Sequence, residues 1–217
     1  PDRFASISAF MPVHTSKRGV FTCGAFNGPR DIPQSVIGGS AAAASVAALL
    51  APVRYTRTVP VPQPAEQDVR DHEPRIGVFI CHCGTNIAGV VDVEEVAAYA
   101  ATLPQVVHVE RNLFTCAQDT QDRMVQQIRA RGLNRIVVAA CTPRTHEPLF
   151  RKTLKSAGIN EYLVEMANIR NQDAWVHGQQ PGAATGKAMD LVRMAVAKVG
   201  TLTALKPLRI RILPAVL

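Results

Sequence analysis

The chain has 217 residues, of which 47% are hydrophobic and only 5% aromatic, and its formal net charge is +7. This composition allows one or two packed domains, argues against global disorder and disfavours an aromatic-rich β-sandwich. The basic residues are dispersed, and one Trp and three Tyr offer little surface for stacking on bases. We therefore expect no nucleic-acid partner, and favour an acidic protein partner or an anionic cofactor.

The cysteine content and the two ends of the chain bear on its setting. Five cysteines in 217 residues do not form the dense disulfide scaffold of a small secreted domain. No signal-peptide pattern is present, so we expect a cytoplasmic protein. The chain begins with Pro1 and closes on the apolar stretch RIRILPAVL, which is typical of an internal fragment of a longer chain.

The N-terminal region predicts a strand, a turn and a helix. Residues 19–24 (GVFTCG) form an apolar run that ends in glycine, which is typical of a buried strand. A turn follows at residues 27–29, and Asp31 with Pro33 predicts a capped helix that runs to about Leu50. A strand, a Gly-rich turn and a helix N-terminus together form an arrangement that suits an anion.

Residues 36–53 carry no charge over 18 positions, which is the lower limit for a membrane span. The stretch is mostly Ala, Gly and Ser, and such small residues suit a helix that packs tightly on a sheet. We favour a buried helix over a membrane span and expect no transmembrane segment.

Prolines then mark a boundary. Residues 52–74 contain five of them, and each removes a backbone donor and favours extended backbone. This composition predicts a Pro-rich linker at residues 54–74.

Beyond the linker, strands and helices alternate, which predicts an α/β fold with a parallel sheet and flanking helices, Rossmann-like in its connections. The predicted strands are 75–81, 106–114, 135–140 and 161–167, and the predicted helices are 92–103, 118–131, 146–157 and 182–199.

Four cysteines fall at the ends of the predicted strands. Cys81 ends the first strand, Cys83 follows it, Cys116 lies just past the second strand and Cys141 ends the third. The carboxyl ends of parallel strands share one edge, and open α/β folds bind ligands there. We therefore expect the four thiols to converge.

Converging thiols are compatible with several kinds of site. Structural zinc also takes four thiolates, but usually from paired knuckles with two to four residues between the cysteines, whereas this chain has one C-x-C pair. An iron–sulfur cluster needs four thiolates and tolerates dispersed ligands. A redox-active dithiol and unconnected buried cysteines are the other interpretations. We favour the cluster.

Neighbouring polar residues fit an anionic site. His82 lies between two of the cysteines, where we expect it to tune the site by hydrogen bonding, although it is also a possible ligand. Arg144 and His146 open the helix after Cys141, where free N–H groups favour negative charge. An ordinary capped helix with solvated side chains explains the same pattern.

Four stretches of the chain resemble the N-terminal domain of the A-type subunit of heterodisulfide reductase. They occur in order within residues 75–200 and read RIGVFICHCGTNIAGVVDVEEV, NLFTCAQDTQD, RIVVAACTPRTHEPLFRKTL and EMANIRNQDAWVH. The resemblance implies a [4Fe–4S] cluster at Cys81, Cys83, Cys116 and Cys141, the positions that match the family's cysteines.

The resemblance also implies an oxidoreductase. Its cluster would relay electrons between a flavin and partner redox subunits of the heterodisulfide reductase, hydrogenase or formate dehydrogenase type. A zinc-stabilised, non-enzymatic interaction domain is the alternative.

One position departs from the family pattern. Many relatives carry a cysteine in the stretch that reads Asn171-Gln172-Asp173-Ala174-Trp175 here, so that Asp173 occupies its place. We expect Asp173 to be a bystander, because four cysteines suffice for a cubane cluster. The alternative is a carboxylate ligand, which would bind iron more weakly than a thiolate does.

Residues 19–50 resemble the last flavin-binding segment of thioredoxin reductase-like flavoproteins. The resemblance implies FAD contacts, in the complete protein, from Gly24, Gly28, Asp31 and Ser35. Where the wider family has Gly-Asp this chain has Gly24-Ala25, which makes Asp31 the better candidate for a polar contact.

These resemblances predict a fused protein with two flavin modules. Residues 1–53 would close one FAD domain, 54–74 would link it, 75–180 would form the cluster domain and 181–217 would lead into a following FAD domain. No complete dinucleotide-binding fingerprint lies within the chain, so we expect this piece alone not to hold FAD.

Overall fold

Residues 6–59, 62–208 and 210 are described by a computed structural model. Their contacts divide the chain into two units, Pro1–Val61 and Pro62–Leu217. Residues 211–217, at the end of the apolar stretch RIRILPAVL, lie outside the described part of the chain.

The N-terminal unit is built from a hairpin and one long helix. Its strands β1 (Ser6–Ser8) and β2 (Met11–Thr15) pair antiparallel. A 3₁₀ turn at Gly24–Asn27 leads to helix α1 (Ile32–Leu50), and a second 3₁₀ turn at Ala51–Val53 follows it.

The strand predicted at residues 19–24 is wrong. Only an isolated bridge between His14 and Phe21 forms there. Gly19 and Gly24 have φ values of +82° and +62°, so the chain leaves the extended conformation on both sides of Phe21. Too few residues remain between the two glycines for a ladder.

Helix α1 begins where the sequence predicts, but it is not the buried helix that we expected. None of its residues is buried. It contacts β2 and the two 3₁₀ turns, and these short elements cannot cover a helix of 19 residues. By length and composition, the segment Ile32–Val53 is long and apolar enough to cross a membrane.

The C-terminal unit is a parallel α/β fold, as predicted. Its four strands are all parallel and lie in the order β4–β3–β5–β6. The strands are β3 (Ile76–Cys81), β4 (Val106–Asn112), β5 (Arg135–Ala140) and β6 (Val164–Asn168). The helices are α2 (Thr85–Ala88), α3 (Val93–Ala100), α4 (Gln118–Arg131), α5 (Pro143–Ala157) and α6 (Pro181–Gly200).

Two details of these elements differ from the prediction. The short helix α2 was not predicted. Helix α5 begins three residues earlier than expected, because Thr142 caps it and Pro143 occupies its first position, where a missing N–H costs nothing.

The helices pack in pairs on the sheet. Helix α3 contacts α6, and α4 contacts α5, as right-handed crossovers on both faces of a parallel sheet require. Every residue of β3 and β5 is buried, so the two central strands form the middle of the core.

Two buried asparagines form hydrogen bonds to the segments that precede β3 and follow α6. Asn134 accepts a hydrogen bond from the backbone N–H of Arg75 at 2.7 Å and donates one to the carbonyl of Glu73 at 2.9 Å. Asn160 donates to the Glu66 carboxylate at 3.0 Å and to the Leu205 carbonyl at 2.9 Å. The C-terminal half of the predicted linker therefore lies against the α/β unit.

Gly77 in β3 generates a test of this packing. A Cβ atom there would approach Leu133 Cδ1 to 2.6 Å and Phe79 Cε2 to 3.2 Å. Both neighbours are buried, so we expect Gly77→Ala to lower the free energy of unfolding by about 1–3 kcal/mol, the usual cost of overpacking. Urea denaturation followed by circular dichroism would measure the change.

Gly186→Ala is the matched control. Gly186 lies inside α6, and a Cβ atom added there would meet no other atom within 4 Å. The same substitution should therefore stabilise the unit by about 0.5–1 kcal/mol, because alanine has a higher helix propensity than glycine. Equal effects at the two positions would contradict the packing described for β3.

Candidate metal centre

The strand order creates one crevice at the carboxyl edge of the sheet. Strand β3 has β4 on one side and β5 on the other, so the chain leaves β3 and β5 toward opposite faces at this edge. Such a switch point is where open α/β sheets bind ligands. Cys81 is the last residue of β3, and Cys141 directly follows β5, so both thiols lie at the switch point.

Backbone amides surround the Cys81 sulfur. The N–H groups of Cys83 and Thr115 donate to Cys81 Sγ at 3.3 and 3.4 Å. These donors come from the loops after β3 and after β4, so two loops converge on one buried sulfur. Hydrogen bonds of this kind stabilise negative charge on sulfur and tune thiolate-bound clusters.

Cys83 lies in a strained turn. Its φ is +49°, which is unusual for a residue with a side chain, and Gly84 follows with φ +57°. Strain of this kind persists where the surrounding structure enforces it, and it concentrates at functional sites. The loop is fixed on one side by a 2.8 Å hydrogen bond from the His82 N–H to the Asn112 carbonyl.

Cys116 and Cys141 complete the set of thiols. Cys116 is exposed and Cys141 is buried. Burial raises the pKa of both thiols, and the neighbouring cysteines raise it further, whereas Arg170 lowers it. These two thiols are therefore close enough to other cysteines of the set for their charges to interact, and the convergence of all four sulfurs on one centre stays a prediction.

Arg170 is a residue of this site that the sequence did not indicate. Its Nη1 donates to Cys83 Sγ at 3.3 Å, and its guanidinium stacks on the Trp175 ring at 4.6 Å from the centroid. It lies two residues after the end of β6, in a π-helical turn at Arg170–Ala174. The sequence could have indicated Arg170 by its position, because it lies just past the carboxyl end of a predicted strand and therefore at the same sheet edge as Cys141.

The predicted neighbours occupy different positions. His82 is half-buried, its Nε2 has no hydrogen-bond partner within the described ranges, and burial together with Arg111 lowers its pKa. His146 lies beside Cys141, with Nδ1 at 3.6 Å from Sγ. Arg144 is exposed on the first turn of α5.

The donor set can be compared with the needs of a thiolate-bound cluster. Four thiols at one edge, amides directed at sulfur and the buried Thr115 hydroxyl, which has no hydrogen-bond partner among the described residues, fit such a group. In the described ranges, however, no group of three or more His, Cys, Asp or Glu side chains is arranged to hold a metal ion. The fit therefore lies in the placement of the backbone and in the chemistry of the donors.

Asp173 lies in the same π-helical turn as Arg170, but its pKa is set by burial and by two basic residues. It is fully buried, and neither carboxylate oxygen has a partner among the described residues. Burial raises its pKa to about 6, and His177 and Lys187 act in the opposite direction. That Asp173 is a bystander stays a prediction.

The residues predicted to contact flavin all lie in the N-terminal unit. Gly24 opens the 3₁₀ turn and Gly28 closes it, both with positive φ. Asp31 caps α1 by accepting a 2.7 Å hydrogen bond from the Gln34 N–H, and the Ser35 hydroxyl donates to the Asp31 carbonyl at 2.8 Å. The Asp31 carboxylate is therefore already engaged by its own helix.

Fold and site together define a parallel α/β unit with four cysteines at the carboxyl edge of its sheet, two of them at the switch point. Similar curated proteins come from the archaea. The A-type subunit of the H2:CoB-CoM heterodisulfide, ferredoxin reductase of Methanothermobacter thermautotrophicus is 52% identical over 140 residues, which is 64% of this chain and 21% of that protein. An A-type iron–sulfur subunit of the CoB–CoM heterodisulfide reductase of Methanopyrus kandleri is also 52% identical, with the same coverage.

A third relative, from Archaeoglobus profundus, is named as a protein like the A-type heterodisulfide reductase subunit. It is 52% identical over 63% of this chain and 19% of its own length. The matched part of the chain is homologous to a segment of these A-type subunits, which confirms the resemblance seen in the sequence. The chain spans about a fifth of the length of these curated relatives. No protein-family model matches it.

Asp173 generates a prediction for stability. Its folded pKa of about 6 lies above the ordinary value of 3.8, so the folded state holds the proton more tightly than the unfolded state and loses stability as the pH rises. Between pH 5 and 7 the wild-type chain should lose about 1 kcal/mol relative to Asp173→Asn. Urea denaturation across this range would measure it, and parallel profiles for the two proteins would contradict the burial of an unpartnered carboxylate.

Proposed function

We propose that this chain is the electron-transfer portion of an oxidoreductase like the A-type heterodisulfide reductase subunits, with a [4Fe–4S] cluster held by Cys81, Cys83, Cys116 and Cys141. The observation that carries the proposal is the position of these four thiols at the carboxyl edge, two of them at the switch point between β3 and β5. The relatives named as iron–sulfur subunits support the kind of cofactor.

The residues of the chain have separate tasks in this proposal. A bound cluster accepts and releases single electrons. The thiols hold it, the N–H groups of Cys83 and Thr115 stabilise charge on sulfur, and the hydrophobic core beneath the edge fixes the strands that carry the ligands. Because Cys116 is exposed, we expect a partner to approach the site from its side.

The flavin and the partners extend the proposal beyond this chain. In the complete protein, FAD would exchange electron pairs with a substrate and pass single electrons to the cluster. Gly24, Gly28, Asp31 and Ser35 would line the end of one flavin site, with the α1 N-terminus directed at the cofactor. Other redox subunits, of the heterodisulfide reductase, hydrogenase or formate dehydrogenase type, would donate or accept the electrons.

A cytoplasmic location accompanies this function, because thiolate ligands persist in a reducing compartment. Fractionation of cells that express the chain would test the location. Recovery of the chain in the membrane fraction would contradict it and would direct attention to the apolar helix α1.

The ligand assignment predicts the effect of removing single thiols. We expect Cys81→Ser, Cys83→Ser, Cys116→Ser and Cys141→Ser each to lower the iron bound per chain several-fold, because each variant lacks one of the four thiolates a cubane needs. Anaerobic purification or reconstitution, followed by iron and sulfide analysis and visible absorbance, would measure the loss.

Cys23→Ser is the matched control, because Cys23 lies in the N-terminal unit and should leave the iron content unchanged. Full iron in two or more of the four variants would contradict the assignment. A colourless protein that binds one zinc ion through the same cysteines would instead favour the zinc-stabilised interaction domain.

A further inference from the structure

Arg170 is a half-buried cation without an acidic partner. In the part of the chain that the structure describes, no carboxylate lies within ion-pair distance of its guanidinium. Its Nη1 donates instead to Cys83 Sγ at 3.3 Å. A guanidinium remains charged at any physiological pH, and a half-buried charge is costly unless it is compensated. A negative group at the cysteine edge would compensate this charge.

Other arginines near this edge differ from Arg170. Arg111 at the end of β4 pairs with Glu94, and Arg123 on α4 lies 3.7 Å from Glu110 and donates to the Asn112 side chain. Arg144 is exposed to solvent. Of these four arginines, Arg170 alone contacts a sulfur atom.

The side chain of Arg170 is held in place before any ligand arrives. Trp175 stacks on the guanidinium at 4.6 Å, and Asn171 Oδ1 accepts from its Nε at 3.3 Å. The turn that carries these residues is fixed in turn, because Asn168 at the end of β6 accepts from the Asn171 N–H at 2.9 Å. Because stacking and hydrogen bonds already fix this guanidinium, it loses little side-chain entropy when it interacts with a neighbouring negative charge.

We infer that Arg170 is a positioning residue whose fixed positive charge orients Cys83 and raises the reduction potential of the thiolate-bound cluster. The inference rests on the proposed function. One-electron reduction adds one negative charge to the bound group, so a nearby cation that cannot move away stabilises the reduced form more than the oxidised form.

The experiment compares Arg170→Gln, Arg170→Lys and Arg144→Gln with the wild-type chain. Each protein is reconstituted anaerobically with iron and sulfide, and its midpoint potential is measured by redox titration monitored by electron paramagnetic resonance. Glutamine keeps hydrogen-bond donors but removes the charge, and lysine keeps the charge. Arg144→Gln removes a cation from the same edge that contacts none of the thiols in the structure. Circular dichroism reports whether each variant folds.

We expect a lower potential in Arg170→Gln, a potential close to wild type in Arg170→Lys, and no change in Arg144→Gln. A cluster that is lost in Arg170→Gln but retained in Arg170→Lys supports the same role, because charge is then needed for assembly. An unchanged potential in Arg170→Gln overturns the inference, and so do equal shifts in Arg170→Gln and Arg144→Gln or loss of the cluster from both Arg170 variants. A wild-type chain that takes up no cluster contradicts the proposed function instead.

Discussion

The parallel pairing of β3 with β4 and β5 is the constraint on which the site depends. Cys81 and Asn112 are register partners in β3 and β4, and Ile80 is paired with Ala139 in β5. The three strands therefore end at nearly the same level, and the residues that follow them meet. Thiols far apart in the chain become neighbours only because this register is fixed by two fully buried central strands.

Bringing several thiols to one edge of the sheet makes it harder to ionise them, and hydrogen-bond donors and a cation at the same edge oppose this effect. Burial and mutual repulsion both raise the pKa of Cys141 and Cys116, and so both oppose the thiolates that a metal requires. The charge of Arg170 lowers the pKa of the same two thiols, and its guanidinium and two backbone N–H groups donate hydrogen bonds to the sulfurs of Cys83 and Cys81. The strained φ of Cys83 is a further cost, which the packed strands on either side can sustain.

The sequence-based predictions were correct for elements whose bounds follow from hydrophobic periodicity. They failed where a residue's role depends on contacts between distant parts of the chain. Helix α4 and strand β5 have the predicted bounds, because their apolar periods are long and clearly bounded. The four cysteines could be assigned to one edge because any parallel sheet places them there. Arg170 was missed, since an arginine in a polar stretch has no spacing that indicates sulfur as its partner. The expected strand at residues 19–24 failed because the positive φ of two glycines overrode an apolar run.

The segment after β6 separates two charges of opposite sign. Residues Arg170–Ala174 form a π-helical turn, in which backbone hydrogen bonds join residues five apart instead of four. The wider turn changes the directions of the side chains along it. Arg170 donates to Cys83 Sγ, whereas burial raises the pKa of Asp173 and the charges of His177 and Lys187 oppose that rise. A second carboxylate next to the thiols would add to the repulsion between them. The same short turn therefore holds a cation that contacts a sulfur and a buried carboxylate with no hydrogen-bond partner among the described residues, and the cation at the sulfur favours negative charge there.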